Sequence, residues 1–191
     1  MISDAVRDAL IARYREPHRV YHTLTHVRDC LAQLEACEDL AAHERALLDA
    51  ALWFHDAVYV PARNDNEAES ARLARSALTA EGVSAADIAE IERLILLTAG
   101  HSVRPEDRLG ARLVSIDLSI LGARPADYDA YAGAIRKEYA HVPDAAYRAG
   151  RAAVMRRFFE AAPLFPDPEW ERRLGRQARA NIRRELNQLS A

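Results

Sequence analysis

The chain has no apolar run approaching the roughly 20 residues that a helix needs to cross a bilayer. Its first residues, MISDAVRDAL, are too charged for a secretory signal peptide. We therefore expect a cytoplasmic protein with no membrane partner. Only seven glycines and eight prolines occur among the 191 residues, too few for a long linker or a low-complexity segment. With no repeat of fixed period either, we expect a single domain over residues 1–191.

Cysteine is scarce as well. Cys30 and Cys37 lie seven positions apart on one predicted helix, so their Cα atoms should be about 10 Å apart, beyond disulfide reach. Free thiols are expected. The net charge of -3 and the absence of a basic stripe give no reason to expect binding to long nucleic acids.

The most informative stretch that is present is ALWFHD, Ala51 to Asp56, where an apolar helix ends in His55 and Asp56. A buried carboxylate costs several kcal/mol unless it is paired or bound to a metal. Histidine and carboxylate are ligands that zinc, manganese and iron accept. This stretch therefore predicts half of a metal site.

Apolar residues recur with helical spacing along the whole chain, which predicts an all-α fold, a bundle of about eight to nine helices. We expect helices over residues 3–15, from about Val20 to Leu34 and over 43–57. Further helices are predicted from a capping box at Asn64 and Glu67 to Gly82, from Ser84 to a stop at Gly100, around 128–139 and 147–158, and from Pro168 onward.

His22 and His26 flank the apolar stripe of the second predicted helix. Four residues apart on a helix, their side chains would point the same way, about 6 Å apart at Cβ, close enough to serve one site. They can equally be two histidines at the wet edge of an amphipathic helix, and the pair alone does not decide between these interpretations.

Asp117 interrupts the apolar run LVSIDLSIL, Leu113 to Leu121. The run alternates like a strand, but no other segment offers a pairing partner, so we predict a short helix. Asp117 should be buried in either case. A cation would explain it best, although an N-cap or a distant arginine remains an alternative.

Four further residues have both a structural and a functional interpretation. Glu67 closes a capping box or lies beside the metal as a base or water-orienting group. His101 satisfies the C-terminal carbonyls of its helix or contributes to the site. Arg136 and Arg151 belong to a solvated face or reach a substrate phosphate.

Together these residues supply a ligand set for one divalent ion, Mn, Ni, Fe, Zn or Mg, made of two imidazoles and two carboxylates: His26, His55, Asp56 and Asp117. The order His, His-Asp, Asp resembles the HD superfamily of metal-dependent phosphohydrolases. YHTLTH, Tyr21 to His26, is similar to the YHNxxH motif of the cyclic nucleotide phosphodiesterase branch. By that resemblance His22 is the general acid and His26 a ligand.

The resemblance extends through FHDAVY, DNEAESA, LLTAGH, DLSILGA, IRKEY and ARANIRREL to a bacterial subgroup of HD phosphohydrolases, over most of residues 19–187, and implies an all-α fold. Two-metal members add a histidine as in HDxxH, where this chain has Tyr59, which puts a second metal in doubt. Guanosine tetraphosphate hydrolases have Glu-Asp after His-Asp, where this chain has Val58 and Tyr59, which puts that substrate in doubt.

The resemblance implies hydrolysis of a phosphate ester or anhydride in a small phosphorylated molecule, of which a nucleotide is one candidate. His22 would protonate the leaving oxygen, and Asp117 or Glu67 would orient the attacking water. Two alternatives are a non-catalytic regulatory module that keeps the fold and binds metal and a nucleotide, and a purely structural helical interaction protein. The oligomeric state has no signal in the sequence.

Overall fold

The computed structural model describes residues 1–190, and within that range it contains helices and no strand, which confirms the all-α prediction. In chain order the α-helices are α1 Asp4–Arg13, α2 Leu24–Glu35, α3 Ala42–Phe54, α4 Asn66–Ala80, α5 Ala85–Leu97, α6 Arg108–Asp117, α7 Pro125–Glu138, α8 Asp144–Glu160 and α9 Pro168–Ser190. A short 3₁₀ helix, Leu118–Gly122, follows α6 directly.

The described residues divide into two compact units, Met1–Asp117 and a second unit that begins at Leu118. The expectation of a single domain stays a prediction. In the first unit, α3 contacts α1, α2, α4, α5 and α6. Its sequence leaves almost no polar face, and its buried residues are Leu47, Leu48, Ala50, Ala51, Leu52, Trp53 and Phe54. Full burial of one large apolar side chain contributes roughly 1.5–3 kcal/mol, so α3 is the core on which the surrounding helices pack.

The second unit is built from the 3₁₀ helix and α7, α8 and α9. Trp170, Tyr128 and Phe165 are among its fully buried side chains. Arg151 donates to the buried Glu185, with Nε 2.7 Å from Oε1, and the Tyr128 hydroxyl donates to the same carboxylate. Removing one member of such a buried pair typically costs 3–5 kcal/mol, because the other charge is left uncompensated.

The predicted start of the second helix is wrong. α2 begins at Leu24, after an extended N-cap at Thr23 whose side chain accepts a hydrogen bond from Thr25 N. Val20 is 42% exposed and does not belong to the packed stripe. His22 therefore precedes the helix, and one helical turn does not hold it beside His26.

The predicted capping box at Asn64 and Glu67 is also wrong. The N-cap of α4 is Asp65, which makes Glu67 the second helical residue. Neighbouring polar side chains are used in the preceding loop instead: Arg63 pairs with Asp65 through two hydrogen bonds, and the Asn66 side chain bonds to Val60 N and O.

Two more predictions concern helix ends. Gly100 is not the stop of α5, which ends at Leu97 with Thr98 as C-cap. After this helix, the residue with positive φ is His101, at 55°, and its N–H donates to Leu97 O at 2.8 Å. The segment around Asp117 is helical, as predicted, because α6 and the 3₁₀ helix cover it.

Cys30 and Cys37 are free thiols, as the sequence predicts, and both are buried. Burial raises the pKa of the Cys30 thiol. Among the helices of residues 1–190, none combines the length and the apolar content that a bilayer-spanning segment requires.

Candidate metal centre

Four of the predicted site residues converge within the first unit, from three different segments. His26 lies in α2, His55 is the C-cap of α3 with Asp56 directly after it, and Asp117 is the last residue of α6. The apolar face of each segment is held by the packing around α3, which places their polar ends in one location. His55 is buried, and the side chains of Asp56 and Asp117 are only 15% and 13% exposed.

The donor atoms of these side chains face one another. His26 Nε2 lies 3.1 Å from His55 Nε2 and 3.2 Å from Asp117 Oδ1. Asp56 Oδ2 lies 3.0 Å from His55 Nε2 and 3.6 Å from His26 Nε2. One ligand atom each from His26, His55 and Asp117 forms a set whose members all lie within 4.8 Å of one another.

These separations fit a metal site. With metal–ligand bonds of about 2.0–2.2 Å, neighbouring ligand atoms are about 3.0 Å apart at right angles and about 3.4 Å apart in a tetrahedron. The donor set of two imidazole nitrogens and two carboxylate oxygens suits Zn²⁺, Mn²⁺ or Fe²⁺. His26, His55 and Asp117 would therefore hold a divalent ion, and Asp56, whose Oδ2 lies beside both imidazole nitrogens, would complete the set.

His55 and His26 each have a second partner on Nδ1, the ring nitrogen that does not face the other ligands. His55 Nδ1 lies 2.8 Å from Leu52 O, a carbonyl that can only accept, so Nδ1 carries the proton and a neutral His55 presents a bare Nε2. His26 Nδ1 lies 3.1 Å from the Tyr21 hydroxyl. Outer partners of this kind fix the ring orientation of metal-binding histidines, and the Leu52 carbonyl also fixes the tautomer of His55.

Asp117 is oriented by His101, whose Nε2 lies 3.2 Å from Asp117 Oδ2. This leaves Oδ1 to face His26 and His55, at 3.2 and 3.5 Å. The side chain of His101 thus contacts the cluster, which supports the functional interpretation of this residue. Its backbone N–H also donates to the carbonyl of Leu97, as the structural interpretation predicts.

The charges of the cluster stabilise one another. Burial alone would raise the pKa of Asp117, but hydrogen bonds from His101, His26 and His55 hold that pKa well below its usual value. Burial alone would raise the pKa of Asp56, but the nearby imidazoles of His55 and His22 lower it. For His55 burial alone would lower the pKa, yet the carboxylates of Asp56 and Asp117 raise it well above its usual value.

His22 lies next to this cluster although it is outside α2. Its ring centroid is 6.1 Å from that of His26, and its ring stacks on Tyr59 with centroids 4.0 Å apart and an interplanar angle of 27°. Tyr59 is the residue that departs from the HDxxH pattern, and here its ring packs against His22.

Three predicted site residues remain: Glu67, Arg136 and Arg151. Glu67 is half-buried in the first turn of α4, and without the capping box its structural interpretation has lost its support. Arg151 is bound by Glu185, and Arg136 donates to the carbonyls of Tyr139 and Val142. Both arginines are thus engaged within the second unit, and their binding to substrate stays a prediction.

Three residues that support the cluster were not predicted from the sequence. Tyr21 contacts His26, and the Ser70 hydroxyl bonds to Val58 N and O, close to Asp56. Arg19 donates to carbonyls 37 and 38 positions away in the sequence. Only Tyr21 had a signal, since it opens the YHTLTH motif; the partners of Arg19 and Ser70 are backbone groups, which no local pattern reveals.

Comparison of the chain with models of protein families, with curated proteins and with solved structures finds no match in any of the three.

Proposed function

We propose that this protein is a metal-dependent phosphohydrolase that cleaves a phosphate ester or anhydride of a small phosphorylated molecule, with a nucleotide as one candidate. The observation that carries the proposal is the convergence of His26, His55, Asp56 and Asp117, with ligand-atom separations of 3.0–3.6 Å for five of their six pairs. A divalent ion bound there supplies a nucleophile at neutral pH and polarises a phosphoryl oxygen.

The side chains around the cluster have the chemistry that the reaction needs. His22 is close enough to Asp56 for its charge to lower the pKa of that carboxyl. As an imidazolium it would donate a proton to the leaving oxygen, a role typically worth 10² to 10⁴-fold. Asp117, or Glu67 from the first turn of α4, would orient the attacking water.

The experiment that tests the proposal is a screen of the purified protein with Mn²⁺, Ni²⁺, Mg²⁺ or Zn²⁺ against a panel of phosphorylated metabolites. His22→Ala should retain metal and lose about 10² to 10⁴-fold in turnover on substrates with poor leaving groups. Activated aryl phosphates should lose much less, because their leaving groups depart without protonation.

Loss of metal from His22→Ala, or an equal loss of turnover on every leaving group, would contradict the acid role. Tight binding of nucleotides without turnover would favour the regulatory module instead. Absence of metal from protein purified without chelator would favour a structural interaction protein.

A further inference from the structure

We propose that Arg19 is a positioning residue that fastens the segment carrying His22 to the segment carrying Asp56, and so sets the relation between the proton donor and the metal ligands. This inference rests on the proposed metal centre, and it assigns a role to a residue that lies outside the ligand set. Arg19 contributes no ligand atom to the cluster; it binds backbone carbonyls, that of Asp56 among them, and so acts through the main chain.

The guanidinium of Arg19 binds the backbone on both sides of the site. Nη1 donates to His22 O at 3.0 Å and to Asp56 O at 2.8 Å, and Nη2 donates to Ala57 O at 3.1 Å. One planar group therefore spans two segments that are distant in sequence. The carbonyls it binds belong to the proposed acid, to a ligand and to the residue after that ligand.

The side chain of Arg19 is buried among Glu16, Tyr14 and Tyr59. Its side chain is 0% exposed, and Nε donates to Glu16 Oε2 at 3.0 Å, which balances its charge. Its guanidinium lies 5.1 Å from the ring centroid of Tyr14 and 5.6 Å from that of Tyr59. Because Tyr59 also stacks on His22, Arg19 supports the proposed acid through its main chain and through an aromatic ring.

This geometry requires a guanidinium. An arginine presents five N–H donors in a rigid planar fork, whereas a lysine ammonium is a single point with three donors. A lysine at position 19 would keep the charge and could still pair with Glu16, but it cannot hold carbonyls of both segments in the same plane. Arg19→Lys is therefore the informative variant.

Arg45 provides a matched control within the same unit. Its guanidinium also donates to two backbone carbonyls, those of Leu34 and Cys37, where α2 ends. Neither carbonyl belongs to a residue of the cluster. Arg45→Lys thus reproduces the general cost of losing guanidinium–carbonyl bonds without changing the relation of His22 to Asp56.

The test uses Co²⁺ titration of the full chain, followed through the visible absorption of the bound ion, with thermal melting as a measure of folding. We expect Arg19→Lys to bind Co²⁺ about tenfold or more weakly than the parent and to alter the absorption bands, because outer partners of ligands typically contribute 10- to 100-fold to metal affinity. Arg45→Lys should bind Co²⁺ as the parent does, even where its melting temperature falls.

Equal Co²⁺ affinity and equal spectra in Arg19→Lys and the parent would overturn the role of Arg19 and leave the metal centre intact. A parent protein that binds no Co²⁺ would overturn the metal centre and this inference with it. Should Arg19→Lys fail to fold, Glu16→Ala decides: weakened Co²⁺ binding supports the role, and unchanged binding overturns it.

Discussion

His101 combines an unfavourable backbone conformation with a contact to the candidate metal centre. Its φ of 55° lies in the left-handed region, which costs a residue with a Cβ roughly 1–2 kcal/mol. The same conformation accompanies the contact between Nε2 and Asp117 Oδ2 at 3.2 Å. Strained backbone conformations of this kind cluster at functional sites.

The left-handed conformation of His101 predicts that glycine at position 101 gives a more stable protein than alanine does, whereas the neighbouring Gly100 should accept alanine. His101→Gly and His101→Ala both lose the imidazole, but the glycine variant should have the larger free energy of unfolding, by about 1 kcal/mol, because only it avoids the Cβ penalty. At Gly100, where φ is not positive and a Cβ would meet nothing within 4 Å, alanine should be tolerated. Urea unfolding measures each difference. Equal stability of the two His101 variants would contradict the left-handed conformation.

At the scale of helices and loops, Ser70 of α4 fastens the loop that follows His55 and Asp56. Its hydroxyl accepts from Val58 N at 3.0 Å and donates to Val58 O at 3.3 Å, and the residue is 0% exposed. One side chain thereby satisfies both backbone polar groups of Val58, close to the cluster.

Ser70→Ala should therefore lower the free energy of unfolding by about 1–3 kcal/mol, because it leaves backbone groups without their partner. Ser76 is exposed on the same helix, so Ser76→Ala is the matched control and should stay within about 0.5 kcal/mol of the parent. The two values come from urea unfolding, and similar values for both variants would contradict the role of Ser70.

The sequence predicts the helices and the candidate ligands to different extents. Apolar periodicity predicted α3, α5 and α9, because an apolar stripe must be buried whatever its neighbours are. His55 and Asp56 stood out because polar groups rarely follow so apolar a run. Spacing alone puts the start of α2 too early, because Val20 fits the apolar stripe, whereas the helix begins after the N-cap Thr23. The loop before α4 depends on pairs such as Arg63 with Asp65, which compete with capping.

For the whole molecule, the candidate metal centre links stability to pH in a way that depends on whether a metal ion is bound. Without a metal ion, the raised pKa of His55 means that the folded state binds a proton more tightly than the unfolded state. That stabilisation is complete below the unfolded pKa of about 6.5 and is lost as the pH rises through the raised value. A metal ion competes with this proton, so metal-linked stability should rise over the same range.

We therefore expect the melting temperature measured with a chelator to fall as the pH rises above about 6.5. Excess Zn²⁺ should remove most of that fall, because the metal-linked stability rises over the same range. The apparent Zn²⁺ affinity should rise by up to tenfold per pH unit if one proton is released. Calorimetric titration in two buffers of different ionisation enthalpy measures that release. An affinity independent of pH would contradict the exchange of a proton for the ion.

The most direct test of the central claim is the metal content of the purified protein and its variants after gel filtration, measured by mass spectrometry. The parent should retain about one divalent ion per chain, and alanine at His26, His55, Asp56 or Asp117 should remove it and lower the melting temperature with it. His43 pairs with Asp87 on the surface, so His43→Ala should keep the ion. Full metal content in Asp117→Ala would contradict the assignment of the site.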